Sequence, residues 1–198
     1  FSSMDSLHKT KKQVKWEILE TKELLHIDSR LTISVQKVKL PDGRIINDYY
    51  HVEFPHSVIT VARTIDDRVV MSRQYLHGYE DVSIVLPAGT TEKGEDPLET
   101  AKRELLEETG YASDDWKYLG AMKPHTNYGC GKVYFFYAAN AKIASEPDSV
   151  DLEEMEIVLL HESEIINAIK NKNIISIGTI TALSLAKIYL QGENYYAK

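Results

Sequence analysis

Cysteine is almost missing from this chain of 198 residues: Cys130 stands alone, so no intrachain disulfide can form. Long apolar runs are missing too. None reaches the length that crosses a bilayer, and the N-terminus lacks a leader pattern, so the sequence reads as that of a soluble cytoplasmic protein with no membrane partner. Basic residues are outnumbered, 23 Lys and Arg against 30 Asp and Glu, for a formal net charge of −7. That sign speaks against nucleic acid as a main partner, because binding a phosphate backbone needs a basic surface. A small anion can still bind an acidic protein where metal ions supply the local positive charge. Zinc lacks its ligands: of seven scattered histidines only His51 and His56 have a zinc-like spacing, and no cysteine pair completes the set. Internal repeats and low-complexity linkers are also absent, which leaves no obvious domain boundary.

What is present suffices for one good core, since 43% of the residues are hydrophobic. Phe1-Ser2-Ser3 ahead of Met4 reads as an expression remnant, and residues 1–14 as a tail. Residues 31–40 and 48–54 alternate apolar with polar side chains around a Pro41-Asp42-Gly43-Arg44 turn, which predicts a hairpin. Further strands are expected over 57–64, 68–75, 116–123, 132–139 and 156–160, and helices over 162–171 and 179–190. Strands, one acidic helix, more strands, then terminal helices: this order predicts an α/β fold with a mixed sheet sandwiched by helices.

That acidic helix carries the most information. Residues 89–111 read GTTEKGEDPLETAKRELLEETGY. Asp96 is a good N-cap, Pro97 suits the first helical position, Glu99 makes an Asp-x-x-Glu arrangement close to a capping box, and Gly110 can end the helix in the left-handed region. Leu98, Ala101 and Leu105 form an apolar stripe for a core. Glu104, Glu107 and Glu108, at i, i+3 and i+4, lie together on one face, where their mutual repulsion invites a bound cation. An isolated Glu-x-x-Glu-Glu is ordinarily a solvated face. The complete pattern, Gly89-x5-Glu95-x7-Arg103-Glu104-Leu105-x-Glu107-Glu108-x-Gly110-Tyr111, is far more specific.

By that pattern the chain resembles the Nudix hydrolases, matching their box at every specified position, with Tyr111 an aromatic where an aliphatic residue is commoner. Arg73-Gln74-Tyr75, Leu86-Pro87-Ala88-Gly89 and Pro41-Asp42-Gly43 extend the likeness over roughly residues 15–190, toward the ADP-ribose pyrophosphatase branch. The resemblance implies an α/β/α sandwich over 56–198, with the box at 89–111, preceded by a β-rich extension over 15–55 that joins two subunits as a homodimer. It also implies hydrolysis of a nucleoside diphosphate linked to another group, assisted by Mg²⁺ or Mn²⁺. A monomer whose hairpin extends its own sheet is the competing expectation.

Roles for residues follow from the same resemblance. Glu104 and Glu108 are the expected main metal ligands, with Glu107 assisting and the Ala88 carbonyl joining them. Magnesium suits such a face, because it prefers hard oxygen ligands and keeps several waters. Gly89 is expected to let the chain enter the turn after Pro87, and Glu95 with Arg103 to form a structural pair that orients the helix. In this branch the base that activates water often comes from a loop well after the box. The acidic stretch from Asp148 to Glu156 places Glu153 best, then Glu154, though such stretches are commonly only solvated. Tyr49 sits about where related enzymes stack an aromatic on adenine, and packing is the alternative. Arg73 is a candidate phosphate contact or a surface charge.

Two departures touch the distal sugar side. Leu76-His77 follows Gln74-Tyr75 where many relatives have Arg, and the loop from Pro124 to Lys132 lacks the branch's acidic residue, offering His125, Asn127, Tyr128 and Lys132. The leading expectation is cleavage of ADP-ribose to AMP and ribose 5-phosphate. Its rivals are a Nudix hydrolase of GDP-mannose, another nucleotide sugar, a dinucleoside polyphosphate or an oxidised nucleotide, and a non-catalytic nucleotide sensor.

Overall fold

Around Pro41–Arg44 the chain turns back on itself, and the alternating segments on either side pair as antiparallel strands. Gly43 takes φ +89°, which favours glycine, and donates its N–H to the Leu40 carbonyl at 3.0 Å. The computed structural model describes residues 14–147 and 155–192. Their contacts divide into two units, one of residues 14–54 with 127–129, the other of 55–126 and 130–192.

The first unit is a three-stranded antiparallel sheet of β1 (Glu17–Ile27), β2 (Leu31–Lys39) and β3 (Ile45–Glu53), in that order. Val35 pairs Tyr50 and Gln36 pairs Tyr49 in the β2–β3 register. β1 is a strand the sequence reading does not name. Its residues, EILETKELLHI, include strong helix formers, and the ladder it makes with β2 outweighs that local preference.

The second unit holds β4 (Ser57–Thr64), β5 (Val69–Leu76), β6 (Asp81–Val85), β7 (Ala88–Thr90), β8 (Tyr111–Ala112), β9 (Asp115–Met122), β10 (Val133–Ile143) and β11 (Glu156–Leu160). Its helices are α1 (Pro97–Thr109), α2 (Glu162–Lys170) and α3 (Ile177–Leu190). The strands form one mixed sheet whose main path is β11-β5-β4-β10-β8, with β6 on β5, β7 on β4 and β9 on β10. Among the described strands of this sheet only β4 and β10 pair in parallel, Ser57 opposite Val133.

Both faces of this sheet are covered, which explains the nearly continuous apolar run of β4. Val61 faces Ile165 and Ala168 of α2 and Ala182, Leu185 and Ala186 of α3 in the larger core cluster. Its neighbour Ala62 points the other way, into a cluster with Leu105 of α1, and Val58 likewise meets Ala101. The period of two along a strand thus sends alternate residues to opposite helical layers. The result is the expected α/β sandwich, with α1 on one face and α2 and α3 on the other.

Most strand and helix expectations hold within a residue or two. β6, β7 and the short β8 go unnamed in the sequence reading. β7 is the most telling, because Pro87-Ala88-Gly89 reads locally as a turn, yet Ala88 pairs with Ile59 and Gly89 with Val58 on β4. No helix among the described residues is long and apolar enough to cross a membrane.

Candidate active site

Helix α1 is bounded as its sequence dictates. Asp96 accepts the Leu98 N–H at 2.8 Å as N-cap, and Pro97 follows it. Gly110, at φ +72°, closes the helix by donating to the Leu106 carbonyl at 2.8 Å. The Glu99 carboxylate is engaged by Lys102 at 2.7 Å. Thr100, Ala101, Leu105 and Thr109 are buried, so the face bearing Glu104, Glu107 and Glu108 is turned from the core.

Arg103 organises those acids from one side. Its Nε and Nη2 donate to Glu95 at 3.2 and 3.3 Å, tying the loop before the helix to the helix itself. Its Nη1 donates to Glu104 at 2.8 Å and to Glu107 at 3.1 Å, bridging two of the acids. Glu95 also accepts the Glu92 N–H at 3.1 Å. The Arg103 guanidinium first, and that backbone donor second, hold the Glu95 carboxyl down to about 2. The guanidinium is raised in turn, by Glu95 foremost and with Glu104 and Glu107 adding to it.

From the other side comes β7. The Ala88 N–H donates to the Glu108 carboxylate at 3.1 Å, and the Gly89 backbone lies against Glu104. A Cβ on Gly89 would stand 2.0 Å from the Glu104 carboxyl carbon. Gly89 is not among the residues of positive φ. The turn-entry role expected of it is therefore corrected: what this position requires is close approach of backbone to a carboxylate, a requirement no sequence pattern distinguishes from a turn.

This arrangement suits a divalent cation. Glu104, Glu107 and Glu108 offer hard oxygen donors on one helical face, and β7 lays bare backbone beside two of them, as a shallow carboxylate cradle needs. Among the described residues no three His, Cys, Asp or Glu side chains converge as a ready ligand cluster, and Arg103 supplies the balancing charge to Glu104 and Glu107.

The other sequence candidates are dispersed. Glu153 and Glu154 lie outside the described residues. Arg73 is on β5 opposite Glu156 of β11, and its Nη1 donates to that carboxylate at 2.8 Å, a cross-strand pair that no local pattern announces. His125 and Tyr128 are exposed. Tyr49, on β3, donates its hydroxyl to the Asn127 carbonyl, and its ring meets Trp16 edge-on at 6.1 Å. A cleft of about 340 Å³ lies elsewhere, on the sheet face that carries α2 and α3. Val61, Ile165, Ile169 and Leu183 line it with the Arg63–Asp67 and Lys187–Glu162 ion pairs, and no box acid reaches it.

Comparison with known proteins decides the family, since residues 54–176 match the NUDIX domain. The chain belongs to that family. It is 32% identical over 162 residues to the methanol dehydrogenase activator of Bacillus methanolicus, spanning 80% of this chain and 84% of that one. It is 30% identical over 142 residues to the ADP-ribose pyrophosphatase of Bacillus subtilis (strain 168), spanning 70% of this chain and 76% of the relative. A crystal structure of an ADP compounds hydrolase superposes with a TM-score of 0.79 at 20% identity, covering 93% of this chain and 99% of that one, which establishes the shared fold. This Nudix protein is accordingly a hydrolase of pyrophosphate bonds, and Nudix enzymes generally require a divalent metal.

Proposed function

We propose that the chain is a Mg²⁺-dependent pyrophosphatase of nucleoside diphosphate sugars, with ADP-ribose, giving AMP and ribose 5-phosphate, as its leading substrate. The observation that carries this reading is the placing of Glu104, Glu107 and Glu108 on one face of α1 with the Ala88–Gly89 backbone drawn against two of them. The likeness to the ADP-ribose pyrophosphatase of Bacillus subtilis supports the substrate.

Hydrolysis forms one new P–O bond to the oxygen of water and breaks one P–O bond of the bridge. Glu104 and Glu108, with Glu107 and the Ala88 carbonyl assisting, would hold Mg²⁺, which when bound would supply positive charge to the phosphate oxygens and make water more acidic. Arg103 keeps Glu104 and Glu107 in place, and its hold on Glu95 fixes the start of the helix that bears them. Glu153, with Glu154 as the alternative, accepts the proton of the attacking water. Arg73, whose Nη1 is engaged by Glu156, contacts phosphate through its remaining guanidinium donors.

Residues 15–55 serve as a dimerisation extension to the catalytic domain over 56–198. β1 supports this: among the described residues it pairs only with β2, and Ile18, Leu19, Leu24, Leu25 and Ile27 are all exposed along it. The acidic composition and lone cysteine support a cytoplasmic protein that does not act on nucleic acid. The loop at 124–132, with no acidic side chain, favours a second reading in which the distal group is another sugar.

Product release from ADP-ribose, GDP-mannose, UDP-glucose, diadenosine polyphosphates and nucleoside triphosphates, each with Mg²⁺ and with EDTA, tests the proposal. AMP from ADP-ribose well ahead of the rest, abolished by EDTA, is expected. A different leading substrate overturns the ADP-ribose assignment, and silence across the panel overturns the catalytic one.

A further inference from the structure

Thr60 lies in the middle of β4 and is 1% exposed, yet its hydroxyl has no hydrogen-bond partner. A buried hydroxyl left unpaired costs free energy, and valine would fill the same space without that cost. Its direction follows from its neighbours along the strand. Val58 meets Ala101 and Ala62 clusters with Leu105, so α1 packs on this face of β4 on either side of Thr60. Ile59 and Val61 belong to the opposite helical layer. By the period of two, the Thr60 side chain points to the α1 side of the sheet.

β7 fixes what lies beside it. Ala88 pairs Ile59, Gly89 pairs Val58 and Thr90 pairs Ser57. The ladder continues at both ends, where the Thr60 N–H donates to the Pro87 carbonyl at 3.0 Å and the Thr91 N–H to the His56 carbonyl at 2.9 Å. Alternation along β7 therefore places Gly89 and Thr91 on the α1 side as well. Among the described residues Thr91 carries the other buried side-chain oxygen without a partner. The two unpaired hydroxyls bracket Gly89, one along its own strand and one diagonally across the ladder. Gly89 is where the Glu104 carboxylate comes down on the sheet, in the space a Cβ would fill.

We infer that Thr60 and Thr91 are positioning residues for Glu104: their hydroxyls donate to its carboxylate when that carboxylate ligates a divalent cation. This rests on the proposal that Glu104 is a metal ligand. Arg103 Nη1 holds the carboxylate from the helix side at 2.8 Å. A carboxylate accepts at about four lone-pair positions, so one that turns toward a cation keeps room for hydroxyl donors beneath it. A hydroxyl rotates to suit its acceptor, so the pairing asks no movement of the sheet. Partners of this kind set the orientation of a metal ligand and hence the affinity of its site.

The test measures Mn²⁺ affinity by paramagnetic resonance, and thermal unfolding without metal, for the parent, Thr60→Val, Thr91→Val, Thr60→Ser and Glu104→Gln. Each valine variant should bind Mn²⁺ about tenfold more weakly. Their metal-free unfolding midpoints should hold or rise, because valine removes an unpaired hydroxyl. Thr60→Ser keeps the donor and should bind Mn²⁺ as the parent does. Serine binding as weakly as valine would assign the effect to packing and overturn the role. Parent-like Mn²⁺ affinity in both valine variants, with weakened binding in Glu104→Gln, also overturns it but leaves Glu104 a ligand. If Glu104→Gln binds Mn²⁺ as the parent does, the metal-ligand reading of Glu104 itself fails. Should Thr60→Val not fold, Thr91→Val decides by the same two readings.

Discussion

Gly89 is small for a reason its own backbone angles do not supply. Its Cα passes so close to Glu104 that an added methyl would meet the carboxylate at 2.0 to 2.1 Å. Because that contact is with the end of a flexible side chain, Gly89→Ala should cost little stability and displace Glu104 instead. Turnover is expected to fall at least about tenfold, ~1.4 kcal/mol, with weaker Mn²⁺ binding by paramagnetic resonance and an almost unchanged unfolding midpoint. Glu108 differs, since an amide there can still accept the Ala88 N–H while losing its charge. Glu108→Gln should therefore fold normally by circular dichroism and lose turnover by more than about a hundredfold. Activity within about tenfold of the parent would remove Glu108 from the metal site.

Among the elements, α1 depends on a tether outside itself. Arg103 binds Glu95, whose folded carboxyl at about 2 lies below its ordinary 4.5. A depressed carboxylate stabilises the fold fully above the unfolded value and loses that contribution as pH falls through the folded one. Between pH 4.5 and 2 the unfolding midpoint of the parent should therefore drop with a component that Glu95→Gln lacks. Thermal unfolding of both proteins across that range measures it, and parallel curves would deny the tether.

How far each element was legible follows from where its determinants lie. The ends of α1 are written locally, in Asp96, Pro97 and Gly110, and the spacing of its three acids fixes their common face. β7 is written elsewhere: its ladder to β4 converts an apparent turn into a strand. The same is true of β1, and of Arg73 and Glu156, brought together across a separation of 83 residues. The joining of Asn127–Gly129 to β3 is likewise a matter of long-range main-chain pairing, to which side-chain patterns are blind.

For the whole molecule, the exposed apolar side chains of β1 lead to a test of assembly. Size-exclusion chromatography with light scattering should find a dimer, and Ile18→Asp with Leu25→Asp should shift it to monomer, since charges on an edge strand oppose strand pairing. A monomeric parent would dismiss the extension as a dimerisation device. The pairing at the centre of the large sheet has a different consequence, one of time. Among its described strands β4 and β10 are the parallel neighbours, and everything from β5 to β9, including α1, lies in the chain between them. Closing that loop carries an entropic cost repaid only once both strands are in register. The acids on α1 can thus be gathered early by a local helix, yet they acquire their backing of Ala62 and Ala138 only when the last central strand docks. The backing of the acid-bearing face is thereby tied to closure of this long loop, and a chain that ends before β10 carries the box without that support.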